Sequence, residues 1–155
     1  MFSALIFAAG PERAPYVRAL AAATGQLQVL REFSSVPSAY ELARLINTVD
    51  PDIVLMDLRL GQAGFECAAR IRECSQRAAI VGLGGESDLG ALARQVGFST
   101  VVGPHSSADE LSFAMREALH QHQGGVEHHL FSFLPTKAGS GASTVVLNTG
   151  VALAQ

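Results

Sequence analysis

The chain is 155 residues long, 48% apolar and only 16% charged, with a formal net charge of -3. That composition excludes a disordered chain, which needs low hydrophobicity and high net charge, and it leaves no basic footprint for nucleic acid or an anionic membrane surface. No apolar run reaches the roughly 18 residues that span a bilayer, and the opening Met1 to Phe7 stretch has no basic leader, so a cytoplasmic protein without membrane insertion is expected.

The first apolar run, Ala4–Ala8, predicts a strand. Leu27–Phe33 predicts a second, and its interruptions at Gln28 and Arg31 suit the margin of a sheet better than its centre. Leu42, Leu45, Ile46 and Val49 then recur at spacings of three and four, which makes one buried helical stripe. Ile53–Asp57 follows as four consecutive apolar residues running into a carboxylate. Such a run reads as a strand buried on both faces of a parallel sheet, and chemistry in those sheets collects at the carboxyl ends of strands, where Asp57 stands.

Cys67 and Cys74 lie seven apart on the next predicted helix and read as reduced, partly buried thiols sharing one face. Ala79–Leu83 gives a fourth strand, and Leu89, Leu92, Ala93 and Val96 give the inward stripe of a helix over Ser87–Val96. Thr100–Val102 is a short fifth strand, and Leu111, Ala114, Ala118 and Leu119 mark a last helix over Ser106–His120. Five βα units joined by right-handed crossovers predict an α/β domain over 1–123, with a doubly wound five-stranded parallel sheet in the order 2-1-3-4-5 and helices on both faces.

From Gln121 to His129 the chain is polar and glycine-bearing and carries no helical stripe, so 124–129 reads as a linker. His128 and His129 have no cysteine or acidic cluster beside them and read as solvated rather than metal-binding. Leu130 to Leu134 looks like a fresh strand, followed by Lys137-Ala138-Gly139-Ser140-Gly141-Ala142-Ser143-Thr144 and the helix-like Thr144–Ala154. A glycine loop between strand and helix lets backbone amides and a helix amino terminus face a phosphate. Lys137, Gly139, Gly141, Ser143 and Thr144 are its candidate residues.

The first 120 residues resemble the CheY-like receiver family of response regulators, which has a flavodoxin-like fold. The resemblance rests on the five βα units, the Asp52-Ile53-Val54-Leu55-Met56-Asp57-Leu58-Arg59-Leu60 block with Gly64-Phe65-Glu66 after it, and Gly97 leading to Pro104. It implies that Asp57 occupies the phosphoacceptor position. Transfer of a phosphoryl group to a carboxylate needs a divalent cation and fixed positive or donor groups to offset the gathering charge. Family members supply paired acids after the first strand, a Ser or Thr after the fourth, and a Lys before a proline after the fifth. Here Ala8 and Ala9, Gly84 or Gly85, and Gly103 stand in those places.

Magnesium is therefore not expected, no catalytic or metal residue is assigned, and Asp57 reads as a loop anchor or helix cap. Glu12 and Glu86 lie near strand ends but off the motif. Receivers commonly pair through their fourth and fifth helices, which makes Phe113 a candidate contact residue, although core burial is the ordinary fate of one phenylalanine.

The loop at Lys137 resembles the deviant Walker A loop of the MinD/ParA family, with Lys137 as the opening lysine and Ser143 and Thr144 as the hydroxyl positions. Ala142 replaces the lysine that would contact the phosphates, which weakens nucleotide binding. Residues 130–155 would then be the first strand, loop and helix of an ATPase-like domain, with no second acidic motif following. No hydrolysis is expected of this chain, and ATP is implied as a cofactor only with the complete second domain.

An atypical receiver followed by such a loop resembles the TadZ/CpaE pilus-assembly localisation family. That resemblance implies a cytoplasmic, polar, dimer-forming protein with protein partners in the Flp (tight-adherence) pilus secretion machinery. The expected function is a non-catalytic signalling and localisation module, a pseudo-receiver and not an enzyme. Two alternatives stay open: a phosphoaccepting response regulator of a two-component phosphorelay using Asp57, and a nucleotide-dependent ParA/MinD-like switch in a longer chain.

Overall fold

A computed structural model of the chain describes residues 1–84 and 87–122, with the side chains of 85–89 left aside. The elements alternate without exception. They are β1 (Phe2–Phe7), α1 (Ala14–Ala23), β2 (Leu27–Phe33), α2 (Ala39–Val49), β3 (Ile53–Asp57), α3 (Gln62–Cys74), β4 (Ala79–Leu83), α4 (Ser87–Gln95), β5 (Thr100–Val102) and α5 (Ala108–His122). The strands pair in parallel in the order β2-β1-β3-β4-β5, as the sequence predicts. Only small boundary shifts separate expectation from outcome. β1 begins two residues early, and α5 extends through Gln121 and His122, which the polar composition had placed with the linker. The linker 124–129 and the loop residues Lys137, Gly139, Gly141, Ser143 and Thr144 lie outside the described residues.

Strand periodicity divides the core in two. Ile53 and Leu55 of β3 face α1 and α5, packing with Val17, Leu111, Met115 and Leu119, whereas Val54 and Met56 face α2 and α3, packing with Ile46, Cys67 and Ile71. Every residue of β3 and β4 is buried, which explains why β3 is apolar on both faces rather than alternating. Gly82 in β4 is closely packed: an added Cβ would stand 3.1 to 3.2 Å from the side chains of Val101, Leu58 and Phe98, which would have to give by a few tenths of an ångström. β2 is the edge strand the sequence predicts, and it carries a bulge, since Ala4 pairs with Val29 but Leu5 pairs with Arg31.

Local chemistry sets the ends of the elements. Ser38 caps α2 in a capping box, its hydroxyl accepting from the Glu41 N–H while the Glu41 carboxylate accepts from the Ser38 N–H. Asp52 accepts from the Ser3 N–H at 2.9 Å and the Ser3 hydroxyl at 2.8 Å, fixing the start of β1 against β3. Arg72, near the end of α3, donates to the Ala78 carbonyl at 2.6 Å, the Gly97 carbonyl at 2.8 Å and the Ser99 hydroxyl at 3.0 Å, and lies 3.3 Å from Nε2 of His122. One guanidinium thus joins the ends of α3 and α5 to the loops entering β4 and β5. Cys67 and Cys74 are free thiols packed on the same core, and burial pushes the Cys67 thiol up to about 12.

Two exposures refine the helical stripes. Leu92, expected inward, is 46% exposed, while its neighbour Ala93 is fully buried. Ala93 of the nine-residue α4 therefore faces the core, and Leu92 is rotated off that line by about 100°. Phe113 stands out from α5 at 71% exposure and takes no part in the core.

Candidate functional site

Asp57 ends the central strand with no exposed surface, and its carboxylate takes its partners from the connections after β3 and β1. Its carboxylate caps the one-turn 3-10 helix Leu58–Leu60, with Oδ1 accepting from the Arg59 N–H at 3.0 Å. Oδ2 accepts from Nε of Arg13 at 2.9 Å, an ion pair whose arginine side chain is only 19% exposed. Both oxygens are thereby engaged. A buried carboxylate without such partners would carry a desolvation penalty of several kcal/mol.

Arg13 enters from the connection between β1 and α1, just ahead of Pro15, which opens the helix. Its guanidinium lies 4.4 Å from the centroid of the Tyr16 ring, a cation–π contact, and the Tyr16 hydroxyl donates to the Pro104 carbonyl at 3.3 Å. The site therefore runs from β3 through α1 to the connection after β5. Gly84, at the end of β4, holds a φ of +85° and donates its N–H to the Val102 carbonyl at 3.0 Å. Its conformation is one that serine or threonine rarely adopts, so the backbone itself departs from a hydroxyl-bearing loop at that place.

Gly84 lies against Asp57, since a Cβ added there would stand 3.9 Å from Oδ1, and the other sequence-derived positions offer sparse chemistry. Ala8 is fully buried, and Ala9 follows it as an apolar residue where an acid would be. Gly103 precedes Pro104 in place of the lysine. Glu12 is exposed and makes no ion pair among the described residues, and Glu86 lies outside them. Magnesium asks for several oxygen ligands in a near-octahedral set. A single carboxylate already facing a guanidinium, flanked by two alanines, does not fit that ion.

Arg13 is the participant that the sequence reading missed. Ion pairs between residues 44 apart leave no periodic trace. One signal was available, because Arg13 is the sole Lys or Arg between Met1 and Val17, where a buried aspartate at the sheet's carboxyl edge would require a cation.

No protein-family model and no curated protein matches the sequence. Solved structures do match its fold. A two-component response regulator of the LuxR family from Aurantimonas sp. SI85-9A1 is 28% identical, with a TM-score of 0.65 over 79% of this chain and 87% of that one. A response regulator receiver domain protein from Clostridium thermocellum is 21% identical, with a TM-score of 0.64 over 79% of this chain and 98% of that one. A protein assigned to pilus assembly (CpaE) from Burkholderia thailandensis E264 is 18% identical, with a TM-score of 0.62 over 76% of this chain and 98% of that one. The fold is the CheY-like, flavodoxin-like fold of receiver domains.

Proposed function

We propose that this chain is a signalling module of receiver type that works through protein contacts and not through phosphotransfer. The observation that carries the reading is the closed state of Asp57: zero exposure, Arg13 on one oxygen and the Arg59 N–H on the other. An incoming phosphodonor would have to displace Arg13. It would then meet no second acid at Ala8 or Ala9 and no lysine at Gly103 to offset its charge. In this reading the chain is not an enzyme, and Arg13 permanently supplies the positive charge that a metal and a lysine supply elsewhere.

Among the described side chains, Phe113 on α5 and Leu92 on α4 are the large exposed apolar residues of the two helices through which receivers commonly pair. A homodimer formed there is the contact we favour. The likeness to the Burkholderia CpaE protein, together with the Lys137 loop, favours a localisation role in pilus assembly, with the pilus secretion machinery as partner and the cell pole as destination. ATP would enter only through a complete second domain.

Incubation of the protein with magnesium and acetyl phosphate, followed by intact-mass and peptide analysis, tests the central claim. No phosphate adduct is expected, and an acyl-phosphate on Asp57 would overturn it. Sedimentation velocity tests the pairing: a dimer that dissociates in Phe113→Asp and Leu92→Asp is expected, and a monomeric wild-type chain at micromolar concentration refutes the homodimer.

A further inference from the structure

At the edge of the sheet, a groove of about 500 Å³ lies between the carboxyl-terminal half of β2 and the length of α2. Arg31 and Phe33, two apart on a strand, present one face to it. Glu41, Arg44, Leu45 and Val49 share the facing side of α2 at helical spacing. The helical wall from Glu41 to Val49 rises about 12 Å. That length and volume suit a compact molecule and fall within the range of small-ligand sites.

Two arginines and one acid line the groove. Among the described residues no carboxylate forms an ion pair with Arg31 or Arg44. Glu41, the acid at the rim, is committed to the start of its own helix, where it accepts from the Ser38 hydroxyl at 2.6 Å and the Ser38 N–H at 3.1 Å. Phe33 and Val49 are partly buried hydrophobics packed on the core, and each still lines the groove. Two guanidinium groups beside an apolar wall call for an anion with an apolar body, because guanidinium pairs bidentately with carboxylate or phosphate oxygens.

An added peptide strand is the less favoured occupant. β2 is bulged at Leu30, bears Arg31 and holds Glu32 in an ion pair with Arg18 at 2.7 Å, and bulges and charges of this kind oppose strand addition at a sheet edge. We propose that the groove binds a small amphipathic organic anion, its head against Arg31 and Arg44 and its flat apolar body on Phe33, Leu45 and Val49. The site is independent of Asp57 and of the pairing face.

The test titrates the isotope-labelled full chain with naphthyl phosphate and follows backbone amide shifts. Saturable shifts confined to 31–33 and 41–49 are expected. Inorganic phosphate and neutral naphthalenemethanol should each bind about tenfold more weakly or worse, as loss of either the apolar body or the charge-assisted contacts requires. The Arg31→Gln/Arg44→Gln double variant should lose about tenfold in affinity while keeping a dispersed spectrum. Val49→Trp, which fills the groove and leaves both arginines in place, should abolish binding and serves as the deciding arm if the double variant fails to fold. Scattered or unsaturable shifts, equal binding of phosphate or of the alcohol, or wild-type affinity in either variant would overturn the proposal.

Discussion

Replacing Arg13 with methionine removes the guanidinium but keeps much of the apolar stem, and so asks what the buried carboxylate loses. Asp57 has no exposed surface, and after the change only the Arg59 N–H remains to it. Orphaning one partner of a buried ion pair costs roughly 3–5 kcal/mol. Because the Arg13 side chain is 19% exposed, water can follow its departure, which places the expected loss at the low end, about 3 kcal/mol. Asp57→Asn keeps an acceptor for the Arg59 amide and frees an arginine that can reach solvent, so about 1 kcal/mol is expected. The double variant lacks both charges and should lose only about 2 kcal/mol, which leaves a coupling of about 2 kcal/mol between the positions. Urea denaturation at pH 7, followed by far-ultraviolet circular dichroism on all four proteins, measures the cycle. A single-variant loss at Arg13 below about 1 kcal/mol, or additivity within about 0.5 kcal/mol, would show that Arg13 is not the counter-ion the geometry describes.

Gly97→Ala should destabilise by about 3 kcal/mol, because φ is +109° there and the new Cβ would lie 2.5 Å from Cγ of an Arg72 held by its own hydrogen bonds; a loss under about 1 kcal/mol in the same denaturation would refute this. His122 is held below its ordinary value of 6.5, first by burial and then by the positive charge of Arg72. A depressed folded-state value means that the His122 contribution is complete above about pH 6.5 and is lost as pH falls below it. The melting temperature of the wild type should therefore drop more between pH 7.5 and pH 5.5 than that of His122→Gln, on the order of a few degrees, and equal drops would remove His122 as the cause.

The sheet was legible because its signals are local. β3 reads as a doubly covered strand from four consecutive apolar residues, and β2 reads as an edge from Gln28 and Arg31. Leu92 misled because helical spacing reports which residues share a stripe, not how wide the contact beneath it is, and at this turn of α4 Ala93 takes the inward place. At the site, Asp57 as a cap could be read from its place at the end of an apolar run. Arg13 could not, because what joins it to Asp57 is the closing of β1 beside β3. The groove at Arg31 and Arg44 was hidden for the same reason, since strand and helix periodicity each supply one wall and only their packing shows that the two arginines face a common space.

Arg72 has a mechanical consequence. The last turn of α5, where the polypeptide leaves the described fold, rests against this side chain through His122, and the same guanidinium grips the Ala78 and Gly97 carbonyls. A tug on whatever follows residue 122 would not simply unravel α5 from its end. Part of it would reach α3 and the entries to β4 and β5 through the contact between His122 and Arg72.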